Sequence, residues 1–554
     1  MLNLNCLYSS YPMQKVISLF LTSIFIFFLS LEVKAQTFET VSKIPTDSLR
    51  GNLYPWRAAI DVLNYTIGLK VNPKNKSIKG TVYITFEVLK PTNLIQWDLD
   101  TALKLNSISS PILELVNSKV QRKNSTIFLE TKSALEEGIY TITLHYSGKP
   151  KVSKQPPWDG GFVWTTDSTG DPWIGLAVEG EGASLWFPCK DHLSDKATFS
   201  VTCTVPKPLI YIGNGRQIYY GETDSTTTAT WSVIDKAPTY SISLNFGRYI
   251  HIPDSMQAQK GLLKLDYYVL PESLEKAKNY FSAEVKPMIT AFEKTIGPYP
   301  FYFDGYALIE TPYWGMEHQS GIAYGNKFRK NEVDMDFILV HESAHEWWGN
   351  SLSCSDHANM YIQEGYCTYS ELLYLEETKD AKAVEQWLQH HYDLIVNKQP
   401  IKGPPHINYL NSDTDIYYKY ALILHTLRQS LGTKAFHKYL KALYDKGKYK
   451  SLTNSAIKAI NQKELGKNYA YFLEWYISNT QYPTIQYKNT NKGIYIRWNN
   501  INVSGIPIPL KLNNNSIVVI PNNKWQQISN RNLSTQLQLG VPNLLINLEK
   551  ISQE

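Results

Sequence analysis

Cysteine is scarce in this chain, with five among 554 residues. Past residue 35 only Cys189, Cys203, Cys354 and Cys367 remain. That is too few for a disulfide scaffold, and none has the spacing of a cysteine zinc site. Charge of one sign is missing too. A net charge of +5 with no basic cluster gives no footprint for nucleic acid, so no nucleic-acid partner is expected. There are no internal repeats. Asn-x-Ser/Thr strings such as Asn64-Tyr65-Thr66 occur, as chance dictates in an Asn-rich chain. With 43 % hydrophobic and 19 % charged residues, the composition excludes a disordered chain and describes a globular one. The length suits about three domains.

The N-terminus reads as a targeting segment. Lys15 precedes an uncharged run from Val16 to Leu31, rich in Phe, Ile and Leu. The run is short for a membrane span and right for a secretory signal. Val33-Lys34-Ala35 is a small-residue cleavage pattern, so cleavage after Ala35 is expected, with an uncleaved anchor as the alternative. Met13 would serve as a start as well as Met1. No cysteine stands directly after the run, so a lipid-anchored form is not expected. The expected product is an exported protein, periplasmic or extracellular, with no stable membrane span after signal cleavage.

Three blocks follow. From about 40 to 250 the pattern alternates as strands do: Tyr65, Ile67, Leu69 and Val71, a turn at Asn72-Pro73-Lys74-Asn75, then Val82, Ile84, Phe86 and Val88. Tyr140, Ile142, Leu144 and Tyr146 repeat the theme. From about 260 to 482 helical periodicity takes over, near 273–294, 334–349, 363–376, 380–396, 417–431, 434–446 and 468–478. From Pro483 strands return, at Ile485 to Tyr487, Ile494 to Trp498 and Ile517 to Ile520. The aromatic load, 14 Trp and 38 Tyr, suits packed sheets and a substrate groove.

The sharpest local signal is His341-Glu342-Ser343-Ala344-His345. Residues four apart share a helix face, so both imidazoles can point at one metal ion. Glu342 stands one step round the helix, near enough to touch a metal-bound water without being a ligand. A catalytic zinc wants three protein ligands and one open position. Glu364 fits as the third, at the start of the next helical stretch. The bland alternative is a surface helix with two histidines and a solvated glutamate. Glu346 lies about 140° round from His341 and reads as a solvated carboxylate or one held behind the ligands. Glu371, two turns after Glu364, suits either a hydrogen bond to a ligand histidine or a surface salt bridge. His390-His391 reads as surface, on an amphipathic helix.

Four ordered motifs carry a resemblance. They are Phe187-Pro188-Cys189-Lys190-Asp191, with Glu179 twelve residues before the aspartate; Gly315-Met316-Glu317-His318; the stretch from His341 to Glu364; and Tyr417-Tyr418-Lys419 followed by an apolar helix. Their order and spacing resemble the aminopeptidase N family of gluzincin zinc metallopeptidases, which includes leukotriene hydrolase. The resemblance spans roughly residues 60 to 480. After the signal peptide (1–35) read from the residues, it implies an α+β multidomain fold: an N-terminal antiparallel beta saddle (36–255), a thermolysin-like, mainly helical catalytic domain (256–482) and a small C-terminal beta sandwich (483–554). It implies one zinc ion per chain on His341, His345 and Glu364, with Glu342 as general base and Tyr417 as oxyanion donor. Glu317 and Glu179 would hold the ammonium of a peptide with a free N-terminus, and Gly315 and Met316 would line the groove. Glu181 is an alternative to Glu179, and Tyr418 an alternative to Tyr417.

Two positions depart from the family pattern. His318 stands where asparagine is usual, in a place expected to touch the groove. Tyr420 replaces a glycine and is expected to add bulk near the oxyanion donor. Many relatives carry a further helical domain that roofs the site, for which the residues after 482 leave no room, so an open cleft tolerant of longer peptides is expected. The activity implied is release of N-terminal residues. The competing readings are a catalytically inactive peptide-binding scaffold, an endopeptidase on the same fold, and an epoxide hydrolase of the leukotriene type.

Overall fold

The structure is a computed structural model that describes residues 37–552 apart from 42, 112–118, 409–412, 514 and 531–536. The expected signal segment lies outside the described residues. The chain divides into two compact units, Met1–Lys43 and Ile44–Glu554. In the first, the described part is the short helix Phe38–Val41.

After the short helices Thr46–Gly51 and Pro55–Ala58, the second unit builds a seven-stranded sheet in the order Arg216–Glu222, Thr226–Pro238, Lys196–Pro206, Ile60–Asn72, Ser77–Val88, Gly138–Gly148 and Leu103–Ser109. Alternation drives it. Tyr65, Ile67, Leu69 and Val71 face inward, as do Val82, Ile84, Phe86 and Val88 from the returning strand. The Asn72 side chain closes the turn between them, accepting from the Asn75 N–H at 3.1 Å. The sheet departs from the antiparallel expectation at one place. Ile60–Asn72 and Lys196–Pro206 pair in parallel, because the long excursion between them returns in the same direction, which strand patterning does not encode.

The helical block holds a five-stranded sheet in the order Ile250–Ala258, Gly261–Val269, Tyr306–Glu310, Ile322–Tyr324 and Gly315–Met316. A domain boundary at 255 therefore cuts a strand that belongs to this sheet. Ile250–Ala258 alternates half-buried and exposed positions, and such a pattern does not say which sheet the strand joins. Helices make up the rest of the block, the first two packing directly on this sheet: Leu274–Thr295, Phe337–Ala344, Tyr361–Thr378, Ala381–Asp393, Tyr418–Leu431, Thr433–Gly447, Asn454–Leu465 and Lys467–Ser478. Asn454–Leu465 was not expected; its signal is Thr453, whose hydroxyl accepts from the Ala456 N–H at 3.2 Å as an N-cap. Two small sheets, of four and three strands, close the chain. They share one core with the helices through residues such as Phe472, Trp498, Ile508 and Leu545. Among the described residues no helix is long and apolar enough to cross a membrane.

Candidate metal and peptide site

The helix Phe337–Ala344 starts at Asp336, whose side chain accepts from the Leu339 N–H. Its regular part ends sooner than the expected 349, because the chain tightens after Ala344. The Trp347 and Trp348 N–H groups both reach the Ala344 carbonyl. That turn brings the Trp348 carbonyl within 2.9 Å of His345 Nδ1. His341 Nδ1 donates to Glu371 at 2.8 Å. With both Nδ1 atoms committed as donors, both Nε2 lone pairs face the same point.

Glu364, in the first turn of the helix Tyr361–Thr378, completes that point. Its Oε2 lies 3.4 Å from His341 Nε2 and 3.4 Å from His345 Nε2. Ligand atoms about 2.0–2.1 Å from a zinc ion at tetrahedral angles stand about 3.3–3.4 Å apart, so this donor set fits zinc. Burial lowers the His341 pKa, but hydrogen bonds to Glu364 and Glu371 outweigh it and hold the ring well above the ordinary histidine value. Burial raises Glu364, and the two imidazoles reverse it to far below the carboxylate range. The pocket is thus built to gather positive charge.

Glu371 is no surface residue. Its second oxygen accepts from the Trp387 indole at 3.0 Å and lies 3.8 Å from His391 Nε2. His391, expected at the surface, is buried and stacked on Trp387. Glu346 is wholly buried. It accepts from the Tyr299 hydroxyl at 2.6 Å, the Ser320 N–H at 3.0 Å and the Asn350 amide at 3.1 Å. Asn350 in turn donates to the Glu317 carbonyl at 2.9 Å. Lys196, from the N-terminal sheet, donates to the carbonyls of Asn350 and Ser351 at 2.7 Å each. Nothing in the sequence marked Lys196. Burial pulls its pKa down to about 7.

A cavity of about 510 Å³ opens over these ligands. Its lining includes Glu342, Glu317, Glu179, Gly315, Met316 and Tyr417. Gly315 is required: a Cβ there would stand 2.5 Å from Glu342 Oε1 and 2.8 Å from Ile338 Cγ2. Burial pushes Glu342 up to about 8, with His341 and His345 opposing and Glu317 and Glu364 adding to it. Glu317 is buried with one carboxylate oxygen unpartnered, and its oxygens come within 4.8 Å of ligand atoms of Glu342 and His345. Glu179, Glu317 and Glu364 form a second such group. Burial, then Glu317, raise Glu179 well above the carboxylate range. Glu181 instead pairs with Lys151 at 3.0 Å.

The loop behind Glu179 is clamped. Asp191 accepts from the Ala183 and Ser184 N–H groups at 3.2 and 3.0 Å and from Arg50 at 3.0 Å. Arg50 also donates to the Glu181 carbonyl. Gly182, at φ +92°, passes within 2.2 Å of Asp191 where a Cβ would sit.

Tyr417 precedes the helix Tyr418–Leu431, its ring 5.8 Å from that of His341. Burial and the surrounding carboxylates hold its phenol well above the ordinary value, so it stays a donor. Tyr418 also lines the cavity but packs edge-on against His391. The two departures sit differently from expectation. His318 is fully buried and outside the cavity lining, with its pKa pulled down to about 3 by burial. Tyr420 is buried between Tyr361 and Tyr366. It fills the space left by Gly365, where a Cβ would stand 2.3 Å from its ring.

The chain matches the model of the peptidase M1 N-terminal domain over residues 62–241 and that of the peptidase family M1 domain over residues 307–476. It is 26 % identical over 308 residues to leucine aminopeptidase 2 of Vanderwaltozyma polyspora, covering 51 % of this chain and 45 % of that one. It is 22 % identical over 454 residues to aminopeptidase N of Lactococcus lactis, covering 76 % of this chain and 51 % of that one. The chain spans about half the length of these curated relatives. Among solved structures, an M1 zinc metallopeptidase mutant of Deinococcus radiodurans bound to a Tyr-Ser-Ala substrate superposes with a TM-score of 0.65 at 21 % identity, over 78 % of this chain and 98 % of that one. This last likeness establishes the fold.

Proposed function

The chain belongs to peptidase family M1, and from that premise we propose that it is a zinc-dependent aminopeptidase, hydrolysing the first peptide bond of peptides with a free N-terminus. The observation that carries this reading is the convergence of three metal-ligating side chains with two further acids, the buried Glu317 and the half-buried Glu179, in one cavity. An endopeptidase has no use for acids at one end of its cleft. An exopeptidase does, because they pair with a terminal ammonium and set the register of cleavage.

His341, His345 and Glu364 would hold the ion, which supplies a Lewis acid for the scissile carbonyl and lowers the pKa of water. Glu317 and Glu179 bind the substrate ammonium, whose charge relieves the crowding of carboxylates. Glu342 takes the proton of the attacking water and passes it to the leaving amine. The Tyr417 hydroxyl donates to the oxyanion as the carbonyl carbon becomes tetrahedral. Gly315–Met316 is the last strand of its sheet, so its outer edge can pair with the substrate backbone.

An aminoacyl amide reporter and its N-acetylated twin test the reading. The free-amine form alone is cleaved, and a chelator abolishes the cleavage. Equal turnover of both twins would point to an endopeptidase, and no turnover with metal bound to a scaffold. Export is a second part of the proposal, supported by the run Val16 to Leu31 and the Val33-Lys34-Ala35 pattern. N-terminal sequencing of the mature protein should then start at Gln36.

A further inference from the structure

The two ends of the cleft differ in chemistry. Phe337, His341 and His345 stand four residues apart along one stripe of their helix. Ring centroids are 6.1 Å apart for the first pair and 5.0 Å for the second. Glu317 lies at the His345 end. The opposite end is aromatic. Trp314 meets Phe337 edge-on at 5.3 Å, and Trp158, from a loop of the N-terminal domain, meets Trp314 at 6.1 Å. All three line the same cavity as the ligands. Yet Trp158 is 55 % and Trp314 43 % exposed, a large apolar surface to leave in water at the mouth of a cavity.

The neighbouring strand gives the same direction. Trp314 packs on Phe337, Gly315 abuts Ile338 and Glu342, and Glu317 reaches toward His345. A peptide whose ammonium is held at Glu317 and Glu179, with its first carbonyl over the ligands, must therefore run toward Phe337. Four residues of helix rise about 6 Å, and an extended peptide advances about 3.3 Å per residue. The second or third residue of the peptide then arrives at the tryptophans.

We propose that Trp158 and Trp314 form a side-chain subsite on the leaving-group side of the cleft, taking an aromatic or bulky apolar side chain from the second or third residue of the peptide. The direction of the peptide rests on the aminopeptidase reading. The occupant follows from continuity, since the indoles flank the space through which the substrate chain leaves the ligands, and the faces they offer suit another ring.

The test uses zinc-loaded Glu342→Gln protein, which binds peptides without consuming them. Affinities of Leu-Ala-Ala, Leu-Phe-Ala and Leu-Ala-Phe are measured by calorimetry, with indole emission followed in parallel. One of the aromatic peptides should bind about tenfold more tightly than Leu-Ala-Ala, within the range of aromatic pairing plus apolar burial, and shift the emission. Adding Trp158→Ala or Trp314→Ala should shrink that gap below about threefold, while Trp314→Phe keeps part of it. Equal affinities for all three peptides, or a gap that survives both alanine variants, would overturn the subsite. The wild-type enzyme is assayed on the same peptides. Cleavage of all three without preference in binding leaves the aminopeptidase reading standing and the subsite refuted; a binding preference with no cleavage does the reverse.

Discussion

Glu342 and Tyr417 differ in what each can lose. Glu342→Gln keeps the shape beside Gly315 but cannot carry a proton, so kcat should fall about 10²–10⁴-fold. Tyr417→Phe removes one oxyanion donor, with an expected loss of about 10²–10³ in kcat, or about 2.7–4 kcal/mol. Elemental analysis should find the metal retained in both, and a variant that lost its metal would show a ligand role instead. A residue outside the site gives a pH test. His425 is buried, with neither ring nitrogen hydrogen-bonded among the described residues, and burial pulls its pKa down to about 4. The folded value lies below the unfolded one of about 6.5. Between the two, the unfolded chain takes a proton that the folded chain refuses, so stability is lost as pH falls through that window. His425→Leu removes the effect. Relative to wild type its stability should rise by about 1.4 kcal/mol per pH unit on acidification below about 6.5 and level off near pH 4. A difference that stays constant from pH 7 to 4 would show that His425 does not titrate there. At this scale the sequence was most readable where chemistry fixes spacing, as in His341 and His345. It was least readable for Lys196, His318 and His391, since a polar residue on an apolar face looks the same before its partners are known.

Packing between elements decides what the departures from the family pattern do. Gly365 and Tyr420 face each other across the helices Tyr361–Thr378 and Tyr418–Leu431, and a Cβ on Gly365 would lie 2.6 Å from the Tyr420 Cβ. That is too close for a rotamer change to relieve. Gly365→Ala should cost about 1–3 kcal/mol of stability by overpacking. Combining it with Tyr420→Gly, which removes that Cβ together with the ring, should cost less than the sum of the two single changes, because the first needs the room the second vacates. Additive losses in thermal melts would show the helices free to separate. The loop after Glu179 works by the same logic. Asp191→Ala releases two backbone N–H groups and Arg50, interactions worth about 1.5–3 kcal/mol each when charge is involved. Glu179 then loses its fixed position. KM for a free-amine reporter should rise about tenfold or more, well beyond any fall in kcat; a fall in kcat alone would refute the positioning role. The motif from Phe187 to Asp191 was visible in the sequence, but not its purpose. Hydrogen bonds from one loop to another leave no periodic trace, whereas strands and amphipathic helices do.

The five-stranded sheet joins the two large hydrophobic cores of the second unit. Along Tyr306–Glu310, Tyr306 and Leu308 face the helical core, while Ala307 and Ile309 face the core of the N-terminal sheets. Ile322 and Ala323 divide in the same way, and Met316, next to Glu317, also belongs to the N-terminal core. A strand buried on both faces reads as a plain apolar run. The three blocks were legible in the sequence; the seam between the first two was not, because Ile250–Ala258, where the expected boundary falls, alternates half-buried and exposed positions and does not say which sheet it joins. Buried polar contacts reinforce the seam: Lys196 holds the loop after His345, Asn214 donates to the Gln319 carbonyl at 2.7 Å, and the Tyr313 hydroxyl donates to the Leu176 carbonyl at 2.8 Å. Neither core can open without exposing a face of the shared sheet. The N-terminal and helical blocks should therefore unfold in one transition. Removing the metal takes away a stabilisation of RT ln(1 + [L]/Kd), about 4 kcal/mol when the free ion is a thousandfold above its Kd. Because the blocks are coupled, chelation should lower the whole transition and leave it single. A calorimetric trace that splits, with a chelator-insensitive peak, would mean that the N-terminal sheets fold on their own and that Glu179 is brought to the ligands by docking of finished domains.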